Sequence, residues 1–153
     1  MATLSHSNPT ALDDLAAKYD GPRTLKVGFL KGATYPISED APEGLSVAQV
    51  AAWNEFGVAS HNQPPRPFFR LMIVAQAPKW GKMAAALLQA NGDVDATLDV
   101  LGQEIQGRIK ESINALMTPE LAASTIAKKG FSKPLIHHAI MVNAANYEVI
   151  KPA

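Results

Sequence analysis

Cysteine is absent from this 153-residue chain, which excludes disulfides and thiolate metal sites. An excess of charge of either sign is also missing, because 14 basic and 14 acidic residues cancel to a formal net charge of zero. Binding of free DNA or RNA usually needs a basic face, so the charge does not favour it. Charged residues make up only 18% of the chain, which suggests that neighbouring molecules cover part of its surface.

Long apolar runs are missing too. No stretch approaches the roughly 20 apolar residues of a membrane helix. Residues 1–9 are polar and lack the apolar centre of a signal peptide. We therefore expect a soluble protein made in the cytoplasm, with residues 1–9 as a flexible tail and residues 10–153 as one domain.

Motifs of catalysis and cofactor binding are also missing. The sequence holds no Gly-x-Ser-x-Gly elbow, Walker loop or dinucleotide fingerprint. Its only histidine cluster is His137-His138, and adjacent histidines point apart on a helix or a strand, so they do not share a metal ion. We expect a protein that is not an enzyme and has no cofactor or metal.

Hydrophobic spacing predicts both strands and helices. Alternating apolar residues predict strands over residues 23–30 and 146–151. Apolar residues at every third or fourth position predict a long amphipathic helix over about 94–116. Residues 67–89 look largely helical, and Pro78 is expected to kink or split that helix.

Shorter helices are predicted from their ends. One spans residues 11–19, and another runs from about residue 47 to residue 56. Ser46 and Gln49 match a capping box before the second helix, in which each side chain satisfies a backbone amide. Gly57 is expected to end this helix in a left-handed conformation.

Together these elements predict an α+β fold, with a small antiparallel sheet packed against helices and long extended loops between them. The loops span residues 31–45, 57–66 and 118–134. Part of the first loop has an alternative interpretation as a hairpin partner of the strand before it. The edges of so small a sheet are open to completion by a neighbouring chain.

Three blocks of sequence resemble one known family. Residues 46–57, SVAQVAAWNEFG, resemble a helix of that family that ends in Asn-Glu-Phe-Gly. Residues 64–70, PPRPFFR, are similar to its Pro-x-Arg-Pro-Phe-hydrophobic-Arg segment. Residues 123–136 contain ASTIAKKG and SKPLI, which are similar to its Ser/Thr-hydrophobic-x-x-Lys-Gly and Lys-Pro-Leu-Ile stretches. The family then continues with Asp-Thr-Gly and a long apolar residue, where this chain has His137, His138, Ala139 and Ile140.

That family comprises the tail-completion, neck or head–tail joining proteins of tailed bacteriophages, also called tail-component or virion-morphogenesis proteins. The resemblance implies a virion structural protein without catalytic residues or cofactors, which assembles in the host cytoplasm. It implies a ring, often sixfold, at the neck or tail end. The implied partners are copies of itself, the connector or adaptor, the tail terminator and the tail tube. Genomic DNA would pass through the lumen without sequence reading, and no membrane is involved.

Candidate interface and structural residues come from these blocks and from a short basic run. Glu55 and Arg66 carry charges that could pair within one subunit or between two. Alternatively, Asn54 and Glu55 only hold the following loop in place inside one subunit. The aromatic residues are either core or interface anchors, and the lysines are either solvated or in contact with phosphate or an acidic neighbour. The full set is Trp53, Asn54, Glu55, Phe56, Gly57, Arg66, Pro67, Phe68, Arg70, Lys128, Lys129 and Lys133.

Other functions stay open at this point. Within the phage, the ring could be a tail terminator that stops tube polymerisation, or a head-completion ring that caps the tube. In a different class, the chain could be a small monomeric enzyme or ligand-binding module. Light scattering together with a ligand screen separates the second class, because such a protein stays monomeric at every concentration and is stabilised by a ligand. A monomer alone does not decide, because neck proteins can assemble only on their template.

Overall fold

The computed structural model describes residues 13, 14, 17, 19, 21–37, 44–115 and 139–151. Along the chain it forms strand β1 (Thr24–Phe29), helices α1 (Val47–Phe56), α2 (Phe68–Asn91), α3 (Val94–Ala115) and α4 (Ile140–Ala144), and strand β2 (Ala145–Ile150). This confirms the predicted α+β fold. Both strands and the long helix α3 begin and end within one residue of their expected positions.

Some predicted features lie outside the described residues. They include residues 1–9, the loop 118–134, and His137-His138. Most of the predicted helix over residues 11–19 also falls outside them. Its three described positions with helical backbone are Asp13, Asp14 and Ala17.

The two strands pair in antiparallel fashion, with Thr24 opposite Ile150 and Phe29 opposite Ala145. Residues 38–43 of the loop that follows β1 lie outside the described residues, and none of its other residues pairs with β1, so the suggested hairpin stays a prediction. The two described ends of that loop are joined by a bridge between Thr34 and Ser46. The chain thus reaches α1 without adding a strand beside β1 in the described residues.

Helix α3 forms the centre of the core. Its apolar stripe buries Leu101, Ile105, Ile109 and Ile113, each at most 8% exposed. One side of α3 packs on the sheet, and another packs on α2. Asp93 stabilises the start of α3, because its carboxylate accepts the Ala96 amide at 3.1 Å and its charge suits the helix dipole.

Helix α2 runs unbroken through Pro78, so the expected split is wrong. Proline has no amide hydrogen and leaves the Val74 carbonyl without its usual donor. Val74 is 74% exposed, so this turn faces solvent, where water can bond the carbonyl. The helix ends at Gly92, which is left-handed at φ 60° and donates its amide to Leu88.

The start of α1 differs from the predicted capping box. Ser46 is the residue before the helix, but it makes no side-chain cap hydrogen bond. The backbone of the preceding loop binds the first amide of the helix, since the Val47 amide donates to the Ala33 carbonyl at 3.0 Å. This contact binds the Val47 amide alone, and not the Gln49 amide that the Ser46 side chain of a capping box would bind.

Gly102 marks the closest approach of α3 to the sheet. A Cβ atom there would lie 2.7 Å from Tyr147 Cγ and 3.0 Å from Leu25 Cδ1. Gly107 lies on the same helix, but no neighbouring atom comes within 4 Å of its Cβ position. The two glycines therefore offer a matched pair for testing the contact between helix and sheet.

We expect Gly102→Ala to lower the free energy of unfolding by about 1–3 kcal/mol, because the methyl group overpacks the contact with Tyr147. Gly107→Ala should instead raise it by about 0.5–1 kcal/mol, because alanine favours a helix over glycine. Urea unfolding of both variants measures the difference. Equal effects at the two positions would contradict this contact.

Candidate interaction surface

The first two sequence blocks meet where α1 ends and α2 begins. Glu55, in the last turn of α1, is only 6% exposed. Its carboxylate accepts the backbone amides of Phe69 at 2.9 Å and of Arg70 at 3.3 Å. These are the second and third residues of α2, and amides at such positions have no acceptor within their own helix.

Helix α2 depends on this contact because the residue before it is Pro67. Proline has no side-chain acceptor, and Pro67 makes no side-chain cap hydrogen bond. In many helices a Ser, Thr, Asp or Asn at this position binds the second or third amide. Glu55 performs that role from the neighbouring helix, and the positive end of the α2 dipole favours its charge.

Arg70 makes the reciprocal contact. Its Nε lies 3.1 Å from Glu55 Oε1, and its Nη2 donates to the backbone carbonyl of Glu55 at 3.3 Å. That carbonyl belongs to the last turn of α1, where carbonyls lack helical donors and a cation is favourable. Each helix end is thus capped by a residue of the other. Within one subunit the cation that pairs with Glu55 is therefore Arg70, and a pairing of Glu55 with Arg66 between subunits stays a prediction.

Asn54 and Arg66 hold the loop 57–66 against α1. The Arg66 amide donates to the Asn54 backbone carbonyl at 2.6 Å, and Gln63 Nε2 donates to the Asn54 side-chain oxygen at 3.3 Å. Arg66 is 6% exposed, and this burial lowers the pKa of its guanidinium. These contacts agree with the interpretation in which Asn54 and Glu55 fix the loop inside one subunit.

Gly57 ends α1 with a positive φ of 76° but an extended ψ of 172°, so the expected left-handed helical conformation is wrong. This backbone region is essentially restricted to glycine. A Cβ atom would also lie 2.7 Å from the Gln63 carbonyl oxygen and 2.8 Å from the Pro65 nitrogen. Both the dihedral angles and the close loop require glycine here.

The aromatic residues of the two blocks separate into core and surface. Phe68 is 1% exposed and makes an edge-to-face contact with Phe29, with 6.1 Å between ring centroids. Phe56 is 68% exposed and Trp53 is 37% exposed. The Arg70 guanidinium lies 5.4 Å from the centroid of the Phe56 ring, within range of a cation–π interaction.

Further exposed apolar residues lie near Arg70 along α2. Leu71 and Val74 of α2 are 57% and 74% exposed, and they lie one turn apart beside Arg70. Neither is among the sequence candidates, because apolar residues three apart on a helix predict a buried face. Aromatic residues and arginine are enriched at the centres of protein interfaces. We call this surface the Phe56 patch; it consists of Trp53, Phe56, Arg70, Leu71 and Val74.

Beside the patch lies a groove of about 390 Å³ between β1, α1 and α2. Its charged lining residues, Glu55 and Arg70, are already paired with each other. In the part of the chain that the structure describes, every buried side-chain nitrogen or oxygen has a partner, and no three potential ligands gather as a metal site. The groove therefore offers an apolar lining next to one exposed cation, Arg70. The apolar lining is Val27, Gly28, Phe29, Ala48, Ala51, Ala52, Phe56, Phe68 and Phe69.

The remaining sequence candidates are not all placed. Lys128, Lys129 and Lys133 lie outside the described residues. Across the described helices, none is long and apolar enough to cross a membrane.

The reciprocal caps can be separated by mutation. We expect Glu55→Ala to lower the free energy of unfolding by about 2–3 kcal/mol, since it leaves two amides of α2 without an acceptor. Arg70→Ala should cost about 1 kcal/mol, because the Arg70 side chain is 52% exposed and its ion pair is partly screened. Urea unfolding measures both values. A larger loss for Arg70→Ala than for Glu55→Ala would contradict the capping role.

Comparison of the chain with protein-family models, with curated proteins and with solved structures finds no match. The function of this surface is therefore inferred from its own residues and their geometry.

Proposed function

We propose that this chain is a structural protein of a tailed bacteriophage, which assembles into a sixfold ring as in the family it resembles. The ring lies at the neck or tail end and joins or completes the tail where it meets the head. One observation carries the proposal. The sequence blocks 46–57 and 64–70, which resemble the family separately, are physically joined in a single hydrogen-bonded junction.

The junction gives a reason why these residue types occur together. Pro67 leaves α2 without a local cap, and Glu55 supplies one. Arg70 compensates the Glu55 charge, while Gly57 lets the loop turn back tightly enough to bring the blocks together. Because these residues depend on each other, the two short matches support the resemblance more strongly together than separately.

Ala139 adds a second, independent observation. It occupies the position where the family has the glycine of Asp-Thr-Gly, the point at which this chain departs from the pattern. Ala139 has φ 56° and ψ 9°, the left-handed conformation that glycine adopts most easily. The backbone at this position therefore has a conformation suited to the family's glycine, and α4 begins at the next residue.

The Phe56 patch supports assembly with other virion subunits. Exposed apolar surfaces that combine aromatic residues with arginine are typical of protein contacts. A head-to-tail contact repeated with a closing rotation gives a ring rather than a filament. The patch is held on a reciprocally capped pair of helices, so it is presented in a fixed orientation.

Electron microscopy of phage particles tests this role. Cells that carry the phage genome without this gene should yield heads and tails that are not joined, and supply of the chain from a plasmid should restore complete virions. An empty plasmid is the control. Tails of uncontrolled length would instead identify the tail-terminator alternative. Normal virions in the absence of the chain would overturn the proposal.

A further inference from the structure

We infer that the N-terminal segment of this chain, residues 2–6, binds beside β1 as a third strand of the sheet and covers the apolar groove between β1 and helices α1 and α2. This arrangement differs from the flexible tail that the sequence predicts for residues 1–9. It stands apart from the proposed neck role, because it concerns contacts within a single copy of the chain. It assigns a partner to the outer edge of β1 and to the groove under that edge.

The outer edge of β2 is partly closed by side chains. The Ala145 carbonyl accepts a hydrogen bond from Gln106 Nε2 at 2.7 Å. The Tyr147 amide donates to Asn146 Oδ1 at 2.9 Å. These two backbone groups therefore point away from β1 and already have partners, so β2 is the less open of the two edges.

The outer edge of β1 has no such partners. Residues directly opposite each other in an antiparallel pair point their backbone groups either both toward the other strand or both away from it. Val27 lies opposite Tyr147 and therefore points its amide and carbonyl away from β2. Leu25 and Phe29 lie two residues to either side of Val27 and follow the same alternation. No hydrogen bond reaches these groups from any other described residue, and an extended segment is what such an edge binds.

An apolar groove lies under this edge. The groove between β1, α1 and α2 continues into a second groove of about 390 Å³, since Val27 and Phe69 line both. On the α2 side, Phe69, Ile73 and Trp80 lie within about 40° of one another around the helix and are only half-buried. A strand beside β1 would cover these side chains and remove apolar surface from water, which is favourable. The other lining residues of the second groove are Leu25, Met72, Leu101 and Ile105.

The composition of residues 1–12 suits this groove. They contain no aspartate, glutamate, lysine or arginine. The charged residues that line the groove, Glu55 and Arg70, already pair with each other and leave no charge for a partner to neutralise. In an extended segment Ala2 and Leu4 lie on one face, because side chains alternate between the two faces of a strand. This apolar face matches the apolar lining.

The segment is also long enough and begins at the right end of the fold. The Tyr19 hydroxyl donates to the Gly92 carbonyl at 3.1 Å, just before α3 begins. The strand β1 starts at the same end, because Arg23 pairs with Asp95 at 3.1 Å. Residues 7–12 can span about 20 Å when extended, whereas the whole edge of β1 is about 13 Å long. A segment that enters from this end lies antiparallel to β1, and its attachment to the same chain gives it a high effective concentration.

Amide hydrogen exchange of the full chain, followed by NMR, tests the third strand. We expect the Val27 amide to exchange slowly in the natural chain and at least about tenfold faster in Leu4→Asp, because a carboxylate on the apolar face drives the segment out of the groove. The matched control is Thr3→Asp, which adds the same charge on the face toward solvent and should leave the exchange unchanged. The Lys26 and Gly28 amides point toward β2 and should stay protected in every variant, which shows that the sheet is intact.

Four results would overturn the inference. Fast exchange of the Val27 amide in the natural chain would show that nothing covers the edge. Slow exchange that Leu4→Asp does not change would show that another segment covers it. Equal acceleration by Leu4→Asp and Thr3→Asp would contradict the alternation of a strand. Protection that is lost on about hundredfold dilution would place the segment of one copy in the groove of another. The neck role is tested separately by the joining of heads and tails.

Discussion

The carboxylate of Glu55 satisfies two amides of α2 and one guanidinium, although it belongs to α1. Helix α2 has no cap of its own because it follows Pro67. Without Glu55, two first-turn amides would be left unpaired beside the buried ring of Phe68, which is unfavourable. The position and direction of α2 relative to α1 therefore depend on one side chain.

The contact of Glu55 with the start of α2 determines which residues of α2 are buried and which lie on the surface. Once the start of α2 is fixed, Phe68 points into the core, where the Ser112 hydroxyl donates to its carbonyl at 2.6 Å. Arg70 is brought over Phe56, and Leu71 and Val74 remain on the outside. The same junction thus joins the helices and builds an exposed surface, which links fold stability to the proposed assembly.

Periodic features were predictable from the sequence, and contacts between distant residues were not. Strands β1 and β2 follow from alternation, and α3 follows from the spacing of Leu101, Ile105 and Ile109, because such patterns report burial directly. The capping box at Ser46 does not form, and the first amide of that helix is bound by the distant loop carbonyl of Ala33, a contact that local sequence does not reveal.

Within the candidate site, residue types were predictable but their partners were not. The motif named Glu55, Arg66 and Arg70, but it suggested Arg66 as the partner of Glu55, whereas the orientation of α2 brings Arg70 to it. Leu71 and Val74 are apolar, and apolar helix residues are usually buried. Their exposure depends on which side of α2 faces α3, a fact of tertiary packing.

Amide hydrogen exchange, followed by NMR, tests the cap at the start of α2 most directly. Phe69 and Arg70 should exchange slowly, because Glu55 accepts both of their amide hydrogens. Ala48 and Gln49 occupy the same positions of α1, where Ser46 makes no side-chain cap, and they should exchange quickly. Exchange at Phe69 and Arg70 as fast as at Ala48 and Gln49, with the interior of α2 still protected, would contradict the account.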